Sequence, residues 1–568
     1  MDNKPLYKFC KELGCCDVCC FRFMGYKKPS VYIDVKKCAE KYLDGEQNDA
    51  LNCRNSLDES NLEDKLNEVS NNMTAEDMQT DIQINESEGC VKEYSVQNKR
   101  NSVTYNCKES PILPPCKKRK VDVCVSCLGV LQEDYWEDTI SSIKEIFQKK
   151  RYECETYTCG LSAPISTILR ESIIALKIKD TFPDYDPNTI TPLKDAWKMT
   201  FRERVAVNID KMFNMDSPLL ITVHLDYPDD LQELEILKRV SSDLFKSRSK
   251  QKRRFPTEFT RQSVEQALEN ATLATLSACG ASLEAHEHAQ CVSVVCAHAP
   301  AYLAGRYIKL SRNLPQSPWV LDGRRVLPTS VQEIIFGPLA KLFNFSETEV
   351  ESRLKFIAAG REDVDVRCLG EGRPFAIEIS DPLRQLKLEE LQLACEEVSK
   401  SGDVVVKSLT YVSRDDLAQL KKGEETKCKT YEALCVKLTH SKFDDDATGA
   451  VKITEKDINF INTYRNTELT DCARVNITQK TPIRVLHRRP LLNRSRQVLE
   501  LSARPVPEHP HLFLLHIVTS AGTYVKEWIH GELARSRPSL SHLLAADIDL
   551  LALDVTKVHL DWPPTRCE

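Results

Sequence analysis

The chain contains 568 residues, of which 41% are apolar and 29% are charged, and its formal net charge is −6 at pH 7. This length allows roughly two to four domains that each bury a core of their own. No stretch approaches the roughly 18 uninterrupted apolar residues of a membrane-spanning helix, and the first residues lack a secretory apolar core, so we expect neither membrane insertion nor export. The 23 cysteines therefore favour reduced thiols and metal ligands over a disulfide framework.

Two Cys-x-x-Cys pairs occur in the first quarter of the chain, one among doubled cysteines and one far downstream. Four thiolates in two such pairs are typical of a closed tetrahedral zinc site, which leaves no position for a substrate. The doubling leaves the register of the first pair open, because Cys15 and Cys20 flank it; buried cysteines without metal are the alternative. We assign one structural zinc ion to the cysteines with two-residue spacing: Cys16, Cys19, Cys124 and Cys127.

Residues 44–120 separate the two pairs and are dominated by Asn, Asp, Glu and Ser. Such a composition cannot offset its ordering entropy, so we predict a disordered acidic insertion. Because the entropy of loop closure grows only logarithmically with length, looping this segment out lets the two cysteine pairs meet. It ends in a basic cluster, Lys117–Lys120, which indicates a nuclear import signal, a phosphate contact or a solvated charge run.

From roughly residue 133 to residue 300 the apolar spacing alternates between helix and strand. Helical spacing at 165–178 and 259–276, with strand-like alternation at 219–224 and 292–296, predicts an α+β domain. A basic stretch inside it could contact a phosphate backbone, with an exposed loop as the alternative. Its candidate RNA-binding residues are Lys252, Arg253 and Arg254. A second set of possible ligands is expected to be core or surface residues instead: His286, His288, Cys291, Cys296 and His298.

An acidic motif flanked by arginines follows, with the sequence GREDVDVRCLGEGRPFAIE. Its alternation predicts a half-buried strand with Asp363 and Asp365 on one face, followed by a glycine turn. A carboxylate beside guanidinium groups stays ionised and can act as a nucleophile or a base. A strand end paired with arginine and without chemistry is the alternative. The arginines expected to contact RNA here are Arg361, Arg367 and Arg373.

Three more stretches complete the C-terminal region. KTYEAL contains Tyr431, and AGTYVKEWIHGE, which follows an apolar run at 512–518, predicts a strand, a tight turn and a helix that carries Lys526. The segment Lys480–Arg496 contains no acidic residue and predicts a strongly positive groove. Its candidate RNA-binding residues are Arg484, Arg488 and Arg489.

These motifs, in this order, resemble the archaeal and eukaryotic pseudouridine synthases of the Pus-ten type. The resemblance rests on the acidic motif, on KTYEAL and AGTYVKEWIHGE, on TPIRVLHRRP and LDVTKVHLDWPP, and on the N-terminal CDVCCFRF and CVSCLGVLQ. It implies an α+β fold with a zinc-bearing, THUMP-containing N-terminal region and a catalytic domain built on a mixed, largely antiparallel sheet. The implied reaction isomerises uridine to pseudouridine in tRNA, without an organic cofactor, in the TΨC arm at position 54, position 55 or both.

The resemblance also implies roles for individual residues. Asp363 is the expected nucleophile, rather than Asp365, because it stands in the Arg-x-Asp pattern of these enzymes. Tyr431 is expected to stack on the uracil, and Lys526 to be the basic partner of the catalytic carboxylate. Arg361 is expected to fill the space that the flipped base leaves.

We therefore expect four regions: a first zinc knuckle at 1–43, the insertion at 44–120, a second knuckle with the RNA-binding region at 121–300, and a catalytic domain at 301–568. The expected partner is tRNA, the expected state is a monomer, and the expected location is the nucleus and cytoplasm. A non-catalytic, zinc-containing RNA-binding adaptor is one rival hypothesis. A metal-dependent nuclease is another, but Ser380 stands where its Asp…Glu-x-Lys pattern needs lysine.

Overall fold

A computed structural model describes residues 3–43, 122–251, 253–255, 257–446, 448–465 and 474–564. The predicted insertion at 44–120 and the candidate Lys252 lie outside the described residues. The described chain divides into two compact units. The first consists of 3–43 and 122–135 with Pro164–Thr200 and Tyr227–Ala289, and the second of Trp136–Ala163, Phe201–Asp226 and the residues from Gln290 onward.

The helices of the described residues are α1 (Asn3–Glu12), α2 (Asp17–Phe23), α3 (Pro29–Ile33), α4 (Val35–Leu43), α5 (Glu137–Lys150), α6 (Ser166–Thr181), α7 (Leu193–Ile209), α8 (Asp230–Leu234), α9 (Leu237–Val240), α10 (Ser242–Lys250), α11 (Arg261–Leu268), α12 (Leu273–Ala278), α13 (Val331–Leu342), α14 (Glu347–Arg353), α15 (Leu388–Ser399), α16 (Asp416–Thr426), α17 (Glu455–Asn462), α18 (Val525–His530) and α19 (Leu540–Leu544). None of them combines the length and apolar character needed to cross a membrane.

The strands are β1 (Thr156–Ser162), β2 (Met212–Phe213), β3 (Leu219–Asp226), β4 (Gln290–His298), β5 (Ala301–Lys309), β6 (Val320–Leu321), β7 (Arg324–Arg325), β8 (Leu354–Ala358), β9 (Arg367–Ile379), β10 (Val404–Tyr411), β11 (Lys429–Lys437), β12 (Val475–Lys480), β13 (Asn493–Pro505), β14 (Leu512–Thr519), β15 (Ser536–Arg537) and β16 (Ile548–Val558). The helices and strands predicted between 165 and 296 are present, although the second helical stretch forms two short helices, α11 and α12.

In the first unit, α6 packs its apolar stripe against the short helices α8 to α12. Leu169 and Ile173, four residues apart on one face of α6, belong to this core. Between them, the buried Arg170 pairs with Glu233 and donates from Nη1 to the carbonyl oxygen of Val125 at 3.0 Å. The helix thus holds the second cysteine knuckle by a charged hydrogen bond.

The second unit contains a small sheet with strand order β2-β1-β3-β4. β1 lies parallel to β2 and β3, and β3 is antiparallel to β4. Asp381 joins this sheet to the large one, since its carboxylate accepts from the Tyr152 hydroxyl at 2.7 Å and the His298 amide at 2.7 Å. The strands of the small sheet, which the sequence analysis assigned to the N-terminal half, therefore group with the catalytic motifs.

The large sheet has ten strands, nine of them in the order β10-β5-β9-β16-β11-β14-β13-β12-β15, with β8 paired to β9. Only the β9–β16 pairing is parallel, so the sheet is mixed and largely antiparallel as predicted. β11 lies near its centre, between β14 and β16. Helices α13 and α15 pack on one end of the sheet over a core that includes Leu303, Ile335, Leu339, Phe375, Leu391 and Val404.

The predicted glycine turn after the acidic motif is a bend inside the continuous strand β9. Gly370 and Gly372 have φ values of +62° and +80°, which residues with a Cβ rarely adopt. A Cβ on Gly370 would lie 2.2 Å from the Thr556 carbonyl oxygen, and one on Gly372 would lie 2.5 Å from that of Tyr307. The bend lets β9 begin parallel to β16 and continue antiparallel to β5.

Candidate active site and metal centre

Residues 359–366, which include the first part of the acidic motif, form a loop between β8 and β9, so the strand predicted around Asp363 and Asp365 is wrong, whereas the rest of the motif lies in β9. Residues 364–365 form a turn, closed by the Val366 amide, which donates to the Asp363 carbonyl oxygen at 3.2 Å. The two aspartates therefore do not share a strand face. Within the loop Glu362 and Val366 are buried, Arg361 and Asp365 are exposed, and Asp363 and Val364 are partly buried.

Glu362 anchors this loop in the core. Its carboxylate accepts from the Arg373 Nε at 2.6 Å and from the Tyr307 hydroxyl at 2.8 Å, and both side chains of the Glu362–Arg373 ion pair are buried. Arg373 also donates to the Ala359 carbonyl oxygen at 2.8 Å. Burial opposes the charge of Arg373, but Glu362 outweighs it and raises the pKa of the guanidinium. The prediction that Arg373 contacts RNA does not fit this buried position.

Lys309 fixes the backbone at the candidate nucleophile and at the residue after it. Its buried ammonium donates to the carbonyl oxygens of Leu314 at 2.6 Å, Asp363 at 3.1 Å and Val364 at 2.7 Å. Burial lowers the pKa of this lysine to about 8, against the opposing charge of Glu362. A cation with main-chain partners thus determines the direction in which Asp363 leaves the loop.

Arg361 and Gly360 form the outer side of the loop. The exposed Arg361 donates to the Ser317 hydroxyl at 3.2 Å, and Gln316 donates to the Gly360 carbonyl oxygen at 3.0 Å. Gly360 has a φ of +86°, and a Cβ there would lie 3.1 Å from both Arg373 Nη1 and Lys429 Nζ. The loop therefore needs glycine here, and it leaves the Arg361 side chain accessible to a ligand.

Asp363 projects from the loop between two cations. Its Oδ1 lies 3.1 Å from Arg484 Nη1 and its Oδ2 lies 3.4 Å from Lys526 Nζ. Its side chain is 32% exposed, so a ligand can reach the carboxylate. Lys526 stands in the first turn of α18, after the predicted strand β14 and turn, and the two predicted catalytic charges come together from positions 163 residues apart.

Asp365 competes with Asp363 for the same lysine. Both of its carboxylate oxygens lie 2.7 Å from Lys526 Nζ, and its side chain is 65% exposed. Partial burial opposes ionisation, but the hydrogen bond and charge of Lys526 prevail and lower the pKa of Asp365. Lys526 is therefore shared between a more exposed and a less exposed carboxylate.

Arg484, predicted as an RNA-binding residue, also belongs to this cluster. Its Nε donates at 2.6 Å to Glu527 Oε1, next to Lys526 on α18, while its Nη1 contacts Asp363. Burial opposes the arginine's charge, but Glu527 and Asp363 together raise its pKa. The result is a row of alternating charges: Glu527, Arg484, Asp363, Lys526 and Asp365.

Tyr431 lies on β11 and is half-buried at the edge of the apolar core beneath the sheet. Burial raises the pKa of its phenol to about 12; the charge of Arg373 opposes this rise and the charge of Asp363 adds to it. The phenol therefore stays protonated at neutral pH.

The remaining basic candidates occupy different environments. Arg367 pairs with Asp554 through two hydrogen bonds of 3.0 and 2.5 Å. Arg488 and Arg489 are exposed beyond the short 3-10 turn that carries Arg484, so they remain available to a polyanion. Two candidate RNA-binding residues of the first unit, Arg253 and Arg254, are also exposed.

The four predicted cysteines come together in the first unit. Cys16, Cys19, Cys124 and Cys127 place their sulfur atoms within 4.8 Å of one another, which selects Cys16 over Cys15. Cys16 and Cys127 sulfurs are 3.9 Å apart, close to the roughly 3.8 Å expected for thiolates on a tetrahedral zinc ion. The donor set and its spacing thus fit a metal ion such as zinc.

The local backbone explains how the two knuckles meet. Cys16 is the N-cap of α2, so Cys19 falls in its first turn, and the Val125 amide of the second knuckle donates to the Gly14 carbonyl oxygen at 3.3 Å. Arg22 donates to the Cys19 sulfur at 3.7 Å, and the Cys16 amide donates to the Cys124 sulfur at 3.2 Å. Such donors stabilise thiolate charge around a bound metal.

The other metal hypotheses find no support in the described residues. The cysteine cluster is the one metal-compatible group found there, so the second His/Cys set does not assemble. Cys296 is buried in β4, and His288 stacks on Tyr135 at 4.1 Å between ring centroids. Glu378, which the nuclease hypothesis requires, faces Lys355 at 3.3 Å.

Sequence reasoning missed Tyr307, Lys309, Glu362 and Glu527. Tyr307 and Lys309 show one usable signal, since both stand at the inward-facing positions of the strand-like run that becomes β5. A lysine at such a position needs internal acceptors. Glu362 and Glu527 carry no such signal, because each looks like an ordinary acid beside a conspicuous motif residue.

Two family models match the chain. "Pus10, C-terminal" matches residues 302–559 and "Eukaryotic Pus10, N-terminal" matches residues 124–292. The tRNA pseudouridine synthase Pus10 of Homo sapiens is 32% identical over 99% of this chain and 98% of its own length. That of Methanocaldococcus jannaschii is 35% identical over 46% of this chain and 53% of its own length.

Among solved structures, a chain of a Cbf5-Nop10-Gar1 complex matches 44% of this chain and 57% of its own length, with 15% identity and a TM-score of 0.20. This score is too low to support an argument about the fold. The two family models and the human relative, matched over 98% of its length, show the family. The chain belongs to the Pus10 family of pseudouridine synthases, which are isomerases.

Proposed function

We propose that the protein isomerises a uridine to pseudouridine in the TΨC arm of tRNA, with Asp363 as the catalytic carboxylate. The Pus10 relatives named as tRNA pseudouridine synthases support the substrate. The observation that carries the choice of residue is the accessible Asp363 carboxylate between Lys526 and Arg484.

The reaction balances without an added reagent. The N1–C1′ glycosidic bond breaks, the uracil turns in place, and C5 bonds to the same C1′ carbon, while the C5 proton is exchanged for one on nitrogen. A carboxylate that attacks or deprotonates the sugar is sufficient, provided that the site retains the free base. Either role uses the carboxylate of Asp363, which lies between two cations, Arg484 and Lys526.

The target base has to leave its stack before it can reach Asp363. Unstacking costs a few kcal/mol, and stacking of the uracil on Tyr431 offsets about 1–3 kcal/mol of it. The exposed Arg361, on the same loop as Asp363, is suited to occupy the space that the base leaves in the RNA. Arg488 and Arg489, which follow Arg484 closely in the chain, supply positive charge for the phosphate backbone of the RNA.

We further propose that residues 121–300 contain a THUMP-containing region that binds the acceptor end of tRNA. One zinc ion on the four cysteines would stabilise it without taking part in the chemistry, since four thiolates fill a tetrahedral shell. Arg253 and Arg254 would add phosphate contacts. A monomer in the nucleus and cytoplasm, and the absence of an organic cofactor, belong to the same proposal.

The test is a reaction between purified, zinc-replete protein and an unmodified tRNA transcript, followed by chemical mapping of pseudouridine. A transcript with cytidine at the TΨC-arm uridines is the control. We expect one or two pseudouridines in that arm and none in the control. A protein that binds the transcript tightly but forms no pseudouridine would support the adaptor hypothesis instead.

A further inference from the structure

Arg484 spans two carboxylates of different character. Its Nε donates to Glu527 Oε1 at 2.6 Å, and its Nη1 donates to Asp363 Oδ1 at 3.1 Å. Because the guanidinium is planar and rigid, a bond at Nε also sets the direction of Nη1. Glu527 therefore controls where Arg484 meets Asp363.

The two ends of this link differ in burial. The Glu527 side chain is 5% exposed and stands on α18 among the buried Val525, Trp528 and Ile529, whereas Asp363 is 32% exposed on its loop. Arg484 itself is 40% exposed and lies in a short 3-10 turn. The fixed end is thus Glu527, and the end that faces a ligand is Asp363.

The energetics of Glu527 favour this use over simple stabilisation. Its Oε2 is buried and has no hydrogen-bond partner among the described residues. A buried carboxylate with one unsatisfied oxygen destabilises a fold unless its other contacts compensate. The compensating contact here is a single, partly exposed arginine, a weak stabiliser but an effective means of holding a cation beside Asp363.

Arg484 also matters because Lys526 is divided between two acids. Lys526 Nζ lies 2.7 Å from Asp365 but 3.4 Å from Asp363. The contact of Arg484 with Asp363, at 3.1 Å, is the shorter of the two cationic contacts. Without Glu527, the arginine would be free to turn toward solvent or a phosphate, and Asp363 would keep only the shared lysine.

We propose that Glu527 is a positioning residue for the isomerisation, acting through Arg484 to hold the Asp363 carboxylate in its reactive orientation. This inference rests on the proposed function. It separates two neighbouring residues of α18 by role: Lys526 contacts Asp363 directly, and Glu527 reaches it through the arginine.

The test is a double-mutant cycle of Glu527→Gln and Arg484→Met, measured as kcat and KM for unmodified tRNA. Glutamine keeps the shape but removes the charge that fixes Arg484. In the otherwise wild-type protein, we expect Glu527→Gln to lower kcat about tenfold and to leave KM within about twofold of the wild type. When Arg484 is already Met, we expect Glu527→Gln to change kcat less than about twofold. Glu390→Gln is the matched control, because it removes the carboxylate charge from another arginine pair of the same unit, Arg384–Glu390, and should leave kcat within about twofold.

Equal losses in both backgrounds, or a change in KM alone, would overturn the inference while leaving the proposed function intact. A wild-type protein without pseudouridine formation would overturn both. If Glu527→Gln does not fold, as judged by thermal unfolding, Arg484→Lys replaces it, since lysine keeps the charge but cannot span two carboxylates. Undiminished kcat in Arg484→Lys would equally overturn the inference.

Discussion

The cysteine centre and the acidic loop bring distant residues together in different ways. In the cysteine centre, 104 residues separate Cys19 from Cys124, yet each half is a local Cys-x-x-Cys knuckle that is preformed by its own turn. Around Asp363, by contrast, the contacting side chains come from segments far apart in the chain, namely those of Lys309, Arg484 and Lys526. The cysteine centre consists of two local motifs whose four sulfur atoms could hold one metal ion, whereas the site around Asp363 is a network of buried and partly exposed charges.

This difference predicts how each site fails. Loss of a thiolate should abolish metal binding at the cluster and destabilise the first unit, because all four cysteines belong to that unit. Loss of a charge near Asp363 should leave other charges buried without partners and disturb the loop. The following experiments test the contrast.

The largest expected effect follows from Cys124→Ser. Structural zinc binding contributes on the order of 10 kcal/mol to folding, so we expect loss of the bound zinc and faster hydrogen exchange in the first unit than in the second. Cys15→Ser is the matched control, because Cys15 is buried beside the cluster but lies outside it, and it should retain zinc. Equal loss of protection in both units would contradict the account.

Glu362→Gln should destabilise the second unit strongly. It leaves the buried Arg373 without its counter-charge, and breaking such a pair costs about 3–5 kcal/mol in the free energy of unfolding. The control is Lys355→Met, which breaks the more exposed pair with Glu378 and should cost less than about 1 kcal/mol. Similar losses in urea unfolding would argue against a buried-charge network.

Lys309→Met tests the loop anchor through its pH dependence. In the folded state the pKa of Lys309 is lowered to about 8, whereas the unfolded chain keeps the ordinary value near 10.4. Between these values only the unfolded state holds the proton, so wild-type stability should rise with pH relative to the variant, by about 3 kcal/mol from pH 7 to pH 11. A flat or falling difference in unfolding free energy would contradict the assignment.

The smallest expected effect follows from Tyr431→Phe. Because the phenol of Tyr431 has a pKa of about 12, it stays protonated and is not needed as a base at neutral pH. We expect Phe to retain single-turnover activity within about threefold, and Ala to lose the equivalent of about 1–3 kcal/mol of stacking. Phe and Ala variants with equal rates would remove Tyr431 from the account.

The contrast also explains what the sequence could reveal. The four cysteines, Tyr431 and Lys526 stand in short motifs whose chemistry is readable from residue type and spacing, and the structure brings the cysteines together and places Lys526 beside Asp363. The loop around Asp363 is predicted as a strand, because a short alternation of polar and apolar residues does not distinguish a strand from a loop.

The carboxylate partners of Arg484 and Arg373 could not be predicted from the sequence, because neither partner is adjacent to its arginine in the chain. The sequence predicts Arg484 as part of a basic groove and Arg373 as an RNA-contacting arginine of the acidic motif, yet the first contacts Asp363 and the second is buried on Glu362. Their roles depend on which carboxylate the sheet brings near each of them. Likewise, the bend at Gly370 and Gly372 was expected to end a strand, whereas it redirects one.

The most direct test of the central claim compares Asp363→Asn with Asp365→Asn under single-turnover conditions. Both aspartates contact Lys526, so the two variants differ chiefly in which carboxylate they remove. We predict that Asp363→Asn binds tRNA like the wild type but forms pseudouridine at least about a thousandfold more slowly, whereas Asp365→Asn stays within about tenfold of the wild type. Substantial pseudouridine formation by Asp363→Asn would contradict the account.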